Sequence, residues 1–301
     1  MADWPHVNPF HQSIEKVSSD IAYDEQGQAH CGFDIPEDLQ RLKWVKLLLE
    51  TNTSNENLHK ATEVHATAKA LKRLGKTATE VVSDYLKWLW KNVEYRICER
   101  QAITSLSHVA AVTVVMTVPA MWSDKARDNT VRAAELAGIA EGKRQLRFLN
   151  EPEAAAISEL RTRLTTGQIR AGDCVIICDA GGGTVDVVSY QVVQEEPLEL
   201  SQRVVAQGEL CGSIFIEQEF QKQIRGLLRH RWDQLTDAAK TEIMQRFAYV
   251  IKPNFDETKI GKKYYLPVQN LEDDEDMKIR NGSLEINSQA SPVVWSSPSA
   301  D

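Results

Sequence analysis

The spacing of apolar positions predicts a chain in which strands and helices alternate. Within residues 38–51, apolar side chains recur about once per helical turn, which predicts a helix. Residues 58–100 extend this spacing over a long helical region that breaks near Gly75. Residues 109–118 are instead rich in β-branched side chains, which predicts a buried strand. Turn signals at 24–27 indicate short strands and loops in the first forty residues.

Helix start and stop signals follow the predicted strand. Ser123 is predicted to cap a helix over 125–137, and Gly138 is placed to end that helix. After a short strand near 146–149, Asn150 is predicted to cap the next helix. The middle of the chain therefore reads as strand, helix, strand, helix.

A glycine-rich turn between two strands is the sharpest chemical signal. Strands are predicted over 174–178 and 185–193, so this turn belongs to a β-hairpin, whereas Walker and dinucleotide loops lead into a helix. Three consecutive glycines permit positive φ and let successive backbone N–H groups converge on phosphate oxygens. Thr184 adds a hydroxyl donor, and Asp179 and Asp186 are predicted to bind Mg²⁺. The glycines are Gly181, Gly182 and Gly183.

After the hairpin, a strand with a turn and two helices are predicted. A strand and turn over 204–212 precede helices over 215–230 and 236–250. Residues 288–301 are rich in Ser, Pro and Ala, which predicts a disordered tail.

Composition narrows the possible functions. The formal net charge of -8 argues against a nucleic-acid partner, because such proteins usually carry a basic excess. No apolar run reaches the roughly 18 residues of a membrane span, and the N-terminus has no signal-peptide pattern, so we expect a cytoplasmic protein. The five cysteines are scattered and lack the spacing of a zinc site. A disulfide framework is not expected in a chain of this length, which indicates a reducing compartment. Cys174 and Cys178 are predicted to pack as small apolar side chains.

Several segments, in order, resemble one protein family. Residues 114–127, 133–139, 149–156 and 179–186 are similar to motifs of the seventy-kilodalton heat-shock chaperones. The resemblance is closest to the divergent fungal type related to the twelfth human heat-shock subfamily. It implies an α/β fold, namely the two-lobed actin-like ATPase fold, which is ribonuclease H-like.

The resemblance also implies that the fold is incomplete and truncated at both ends. We expect residues 1–165 to form a first lobe without its first phosphate hairpin, because nothing in 1–30 resembles the family's Asp-x-Gly-Thr motif. Residues 166–287 would form a second lobe without its C-terminal adenosine segment, followed by the tail at 288–301.

Roles for individual residues follow from the same resemblance. Glu151 matches an acidic catalytic residue that orients the hydrolytic water and the metal, and Asp179 matches its catalytic, metal-binding partner. Pro119 and Arg127 match a pair that couples nucleotide state to the neighbouring domain. Lys46 matches a phosphate-contacting lysine.

Further positions would contact the nucleotide. Gly212 matches one of two paired glycines beside the nucleotide, although Cys211 replaces the other glycine and Ser213 replaces an acidic residue. Glu242 and Arg246 match residues that line the adenosine pocket.

The resemblance predicts an ATP-binding, chaperone-like protein with weak or no ATP hydrolysis, so residual ATPase activity at most. The cofactor would be ATP or ADP with Mg²⁺, and the partners would be the nucleotide and protein clients or co-chaperones, with no nucleic acid and no membrane. One alternative is a non-enzymatic interaction or regulatory module that retains the fold. A sugar-kinase-like phosphotransferase is disfavoured, because residues 150–156 have the chaperone-type sequence.

Overall fold

Six helices and ten strands form the described part of the chain, which in this computed structural model comprises residues 17–50, 62–106, 111–140, 144–256, 258–259 and 261–287. The helices are α1 (Thr62–Leu74), α2 (Ala78–Gln101), α3 (Asp124–Leu136), α4 (Glu151–Thr165), α5 (Ser213–Leu228) and α6 (Asp237–Arg246). The strands are β1 (Ile21–Tyr23), β2 (Ala29–Cys31), β3 (Val112–Val118), β4 (Arg144–Asn150), β5 (Cys174–Ala180), β6 (Val185–Gln194), β7 (Glu199–Glu209), β8 (Lys263–Pro267), β9 (Ile279–Arg280) and β10 (Ser283–Asn287).

The chain divides into two compact units, Met1–Gly212 and Ser213–Asp301. The predicted boundary between lobes, at 165/166, lies within the first unit and stays a prediction. The predicted tail at 288–301 lies outside the described residues.

The predicted helix over 38–51 is wrong for most of its length. Leu42 pairs with Ile21 in an isolated antiparallel bridge, and the Leu42 N–H donates to the Ile21 carbonyl at 2.7 Å. Trp44 then takes a left-handed backbone conformation with φ 61°, which ends any helix. Only a short 3₁₀ helix, Val45–Leu49, follows. The apolar spacing was real, since Leu42 and Val45 are buried, but a non-local strand pairing uses the backbone of Leu42.

The predicted break in the long helical region is confirmed at Gly75, where φ is 64°. Beyond it, α2 begins with a reciprocal capping box. The Thr77 hydroxyl accepts from the Glu80 N–H, and the Glu80 carboxylate accepts from the Thr77 N–H at 2.8 Å. Helix α2 packs against α3, which lies beside the parallel pair β3–β4.

The signals around α3 are confirmed, and Asn150 is the N-cap residue of α4 by position. The Ser123 hydroxyl accepts from the Ala126 N–H at 3.2 Å, and Gly138 takes positive φ after α3. Asn150 precedes α4 as predicted, but its side chain makes no cap hydrogen bond. Its Oδ1 instead accepts from the Arg127 guanidinium at 3.0 Å, so a tertiary contact replaces the local one.

Strands β5, β6 and β7 form an antiparallel sheet with two unlike faces. The inner face packs Val188 and Tyr190 against Ala156 and Leu160 of α4. The outer face is exposed, because β5 alternates between half-buried and exposed positions. The prediction that Cys174 and Cys178 pack internally is therefore wrong: both lie at exposed positions of β5.

The second unit has its own apolar core. Phe220 of α5 stacks on Phe247, with ring centroids 3.7 Å apart, and both side chains are buried. Both predicted helices are present, although α5 ends at Leu228 and a 3₁₀ helix, Arg229–Gln234, follows. Strands β8, β10 and β9 complete this unit as an antiparallel sheet.

Candidate functional site

The hairpin at 179–186 places two carboxylates on one face of a sheet. Asp179 in β5 and Asp186 in β6 are direct cross-strand partners. Residues that face each other in an antiparallel pair point to the same side of the sheet. Here that side is the inner face, which carries Val188 and Tyr190 further along β6. Register therefore brings together two side chains that lie seven positions apart in sequence.

Asp186 is the most unusual side chain of the hairpin. It is only 1% exposed, and neither carboxylate oxygen makes a hydrogen bond of normal geometry within the described residues. Burial raises the pKa of Asp186, the Thr184 hydroxyl opposes this, and the nearby Glu151 and Asp179 raise it further. Buried carboxylates normally have hydrogen-bond partners, so an unpartnered one marks a candidate binding group.

Gly208, in the neighbouring strand, lies directly against the side chain of Asp186. A Cβ atom on Gly208 in β7 would lie 2.5 Å from Asp186 Oδ1 and 2.8 Å from Met121 Cγ. A larger residue at this position would therefore force the side chain of Asp186 or Met121 to shift. An isolated glycine within a strand can signal such a close approach, and this one was overlooked in the sequence.

The turn itself uses its glycines for close contact. None of the three has φ in the left-handed region, so this turn does not use the positive φ that glycine permits. Gly181 N–H donates to the Thr184 carbonyl at 2.9 Å, closing the turn. The N–H groups of Gly182 and Gly183 form no hydrogen bond with any part of the chain that the structure describes.

Gly212 lies directly against this turn. Its N–H donates to the Gly183 carbonyl at 3.2 Å. A Cβ on Gly212 would lie 2.6 Å from the carbonyl carbon of Gly182, a contact that no side chain can make without backbone movement. Glycines therefore form both sides of this close backbone contact.

Lys46 reaches the site from the 3₁₀ helix Val45–Leu49. Its Nζ forms an ion pair with Glu151 Oε1, and it lies 5.4 Å from the centroid of the Trp122 ring. Glu151 stands in the first turn of α4, where the helix dipole favours a negative charge. Lys46 and Glu151, 105 positions apart, thus meet beside the hairpin.

Arg127 fixes the segment before Glu151. Besides Asn150, its guanidinium donates to the carbonyls of Ala120 and Trp122, each at 3.4 Å. Pro119, which ends β3, is buried just before these carbonyls. Arg127 is therefore a partly buried link between the end of β3 and the start of α4. Whether this link transmits nucleotide state stays a prediction.

Two other predicted site residues belong to the second unit. Glu242 and Arg246 are exposed side chains of α6, in the second unit.

Within the described ranges, no group of three or more His, Cys, Asp or Glu side chains is arranged to hold a metal ion. The helices of the described residues include none with the length and apolar content needed to cross a bilayer.

The hairpin and its acidic neighbours define a phosphate-site candidate on a mixed α/β scaffold, and part of the chain that contains them is similar to known proteins. Residues 63–200 match the family model for "Hsp70 protein". A chaperone protein HscA homolog from Polynucleobacter asymbioticus is 30% identical over 194 residues, covering 61% of this chain and 28% of that protein. HscA homologs from Aliivibrio salmonicida and Vibrio campbellii are 42% and 38% identical over 94 and 112 residues.

These matches are partial in both directions. They cover 29% and 37% of this chain for the Aliivibrio and Vibrio proteins, and 14% and 15% of those proteins. The chain thus spans less than a third of the length of the curated relatives it matches. What the comparisons establish is an Hsp70-like segment that includes the candidate site from Glu151 to Asp186.

Proposed function

We propose that this protein binds a magnesium nucleotide, ATP or ADP, at the hairpin of residues 179–186. The observation that carries the proposal is the buried, unpartnered carboxylate of Asp186 beside a glycine turn with free N–H groups. Within the described residues, neither the carboxylate nor these N–H groups make a hydrogen bond of normal geometry. A cation bound by the carboxylate, next to an anion bound by the N–H groups, would give both a partner. A metal–phosphate complex is such a ligand.

The residues present fit the implied groups. Asp179 and Asp186 would hold Mg²⁺, because carboxylate oxygens are its preferred protein ligands. The N–H groups of Gly182 and Gly183, with the Thr184 hydroxyl, would take phosphate oxygens. Bound Mg²⁺ would neutralise phosphate charge. Lys46 would add a positive charge, released in part from its ion pair with Glu151.

Hydrolysis is proposed to be weak or negligible. The resemblance gives Glu151 the task of orienting water, yet the Lys46 ammonium already occupies one oxygen of this carboxylate. Phosphoryl transfer depends on several groups positioned together, so a constrained Glu151 would slow the chemistry more than binding. The protein would therefore act as a nucleotide-dependent, chaperone-like binder of protein clients or co-chaperones in the cytoplasm. Its assignment to the fungal type stays part of this proposal.

Titration with Mg-ATP, followed by calorimetry and by the shift in melting temperature, tests the proposal. We expect saturable binding that Asp179→Ala abolishes. Asp173→Ala is the matched control, because Asp173 is an exposed acid just before the other end of β5. Binding without release of phosphate supports the proposal in full. Failure of the unmodified protein to bind, or equal binding by Asp179→Ala, contradicts it.

A non-enzymatic interaction module is the second candidate, and one observation favours it. The outer face of the β5–β6–β7 sheet exposes Ile176 at 75%, Val193 at 54% and Val204 at 57%. Exposed apolar surface of this kind is typical of protein-binding faces. If no nucleotide binds, this face becomes the better guide to function.

A further inference from the structure

A short segment of the first unit, residues 44–50, runs across the glycine turn and is fixed at both ends; we name it the strap. At its start, Trp44 Nε1 donates to Glu63 Oε2 at 3.0 Å. One turn further along α1, the Thr67 hydroxyl donates to the Lys43 carbonyl at 2.9 Å. Residues four apart share one face of a helix, so α1 grips the start of the strap with a single face.

The far end of the strap is attached to α3. Glu50 accepts two hydrogen bonds from Ser123, one from its N–H and one from its hydroxyl, both at 3.0 Å. Asn129 of α3 donates to the Leu49 carbonyl at 3.0 Å. Both ends of the strap are thereby tied to helices, and its middle is held over the turn.

The strap touches the turn through two apolar side chains. The Trp44 ring lies so close to Gly182 that a Cβ there would be 3.1 Å from an indole carbon. Leu47 lies over Gly183 in the same way, with a Cβ-to-carbon distance of 2.9 Å. Between them, Lys46 points to Glu151. One segment therefore contacts both glycines with free N–H groups and supplies the only lysine that pairs with Glu151 among the described residues.

We propose that Trp44 is a positioning residue for the phosphate site, with Glu63 as its anchor. The left-handed backbone at Trp44, φ 61°, is unfavourable for a non-glycine residue. The indole–Glu63 hydrogen bond and the contact with Gly182 oppose that cost. Together they set the register of the strap, so that Lys46 faces Glu151 and Leu47 faces Gly183.

This inference rests on the proposed nucleotide function, and it adds a specific expectation. Trp44 acts through Lys46 and the turn, so its loss should weaken Mg-ATP binding and should also loosen the turn without any ligand. A residue with only a general packing role would lower stability but leave the turn amides and the ligand affinity unchanged.

The experiment compares Trp44→Phe, Trp44→Ala, Glu63→Ala and Glu63→Gln in the full chain. Trp44→Phe keeps a ring on Gly182 but loses the indole donor, whereas Glu63→Gln keeps an acceptor for that donor. Trp90→Phe is the matched control, because Trp90 packs in a separate cluster with Leu86 and lies 5.3 Å from Arg144. The readouts are Mg-ATP affinity and, without nucleotide, amide hydrogen exchange at Gly181 and Gly212, whose N–H groups donate to carbonyls of the turn.

We expect Trp44→Ala to weaken affinity at least tenfold and to speed exchange at Gly181 and Gly212 severalfold. Trp44→Phe and Glu63→Ala should show smaller losses, and Glu63→Gln should retain most of the affinity. Should Trp44→Ala fail to fold, the Phe and Glu63 variants decide the question. Affinity within twofold of the unmodified protein in all four variants, or unchanged exchange, overturns the role of Trp44. If the unmodified protein itself does not bind Mg-ATP, the proposed function fails, while the exchange rates still test whether Trp44 holds the turn.

Discussion

Two acidic turns, one in each unit, show how differently this protein treats its carboxylates. In the second unit, Asp274 accepts from the Met277 N–H at 3.0 Å and pairs with Arg231 at 2.7 Å. Its neighbour Asp273 accepts from the Asn281 N–H at 2.7 Å. In the first unit, the carboxylate of Asp186 is buried, and neither of its oxygens makes a hydrogen bond of normal geometry with the described residues. The first kind of carboxylate maintains a turn, whereas the second reduces stability unless a ligand compensates.

The glycines beside the two turns differ in the reason why glycine is required. Gly282, beside the acidic turn, has φ +69° and is required for backbone conformation. Gly212, beside the phosphate hairpin, has ordinary φ and is required because another backbone lies against it. The second requirement indicates a segment held in close register, as a binding site needs.

The largest stability effect is expected for Gly212→Ala. Its added Cβ would meet backbone atoms of Gly182 at 2.6 Å, which no rotamer change can relieve. The free energy of unfolding should fall by about 2–3 kcal/mol, at the upper part of the range for overpacking. Chemical denaturation measures this loss.

Gly226→Ala is the control for that substitution. Gly226 lies inside α5, and a Cβ there has open space around it. This variant should gain about 0.5–1 kcal/mol, because alanine favours a helix interior. A loss of similar size in both variants would show that close contact is not what selects glycine at 212.

The next effect concerns the satisfied turn. Asp274→Ala removes the ion pair with Arg231 and the hydrogen bond from Met277. Because both charged side chains are partly exposed, we expect a loss of about 1–2 kcal/mol in the free energy of unfolding. Asp276→Ala, an exposed acid of the same turn, should change it by less than about 0.5 kcal/mol. Equal losses would mean that the contacts of Asp274 contribute nothing specific.

Asp186→Asn should have the opposite sign and a smaller size. The substitution removes a buried charge beside Glu151 and Asp179, so the ligand-free protein should become more stable. The gain should be about 1 kcal/mol or less, because the new amide also lacks partners. Mg-ATP affinity should fall in the same variant. A clear loss of ligand-free stability would contradict this account of Asp186.

The pH dependence gives an independent check on Asp186. Its pKa is raised in the folded state, so the folded protein binds more protons than the unfolded chain. Stability should therefore decrease as pH rises from the ordinary carboxyl value of 3.8 through the folded-state pKa. The advantage of Asp186→Asn over the unmodified protein should grow across the same window. An advantage that is constant with pH would exclude Asp186 as the titrating group.

Much of the local structure could be predicted from the sequence, because local signals decide it. The hairpin strands, the Ser123 cap and the Gly75 break follow from β-branched runs, a capping residue and a glycine. Long-range contacts decided the rest. The helical spacing of 38–51 was overridden by the bridge between Leu42 and Ile21.

The residues of the candidate site could be predicted from the sequence, whereas most of their geometry could not. The hairpin acids and glycines stand together in sequence, so their pattern was visible. The contacts of Trp44 and Leu47 with the turn were not, because they depend on how α1 holds the strap. Sequence spacing carries no information about such tertiary approaches. The roles assigned to these residues stay predictions until ligand binding is measured.

The smallest changes in stability are expected at two ion pairs whose side chains are nearly equally exposed. Lys46–Glu151 has side chains 47% and 21% exposed, and Lys263–Glu285 in the second unit has 57% and 23%. Exposed ion pairs contribute little to stability, so Lys46→Gln and Lys263→Gln should lower the free energy of unfolding equally little. Only Lys46→Gln should weaken Mg-ATP binding, and the weakening should shrink at high salt because screening reduces the lysine's attraction for phosphate. If both variants bind as well as the unmodified protein, the Lys46 pair is a surface contact like its counterpart, and the strap does not supply a phosphate ligand.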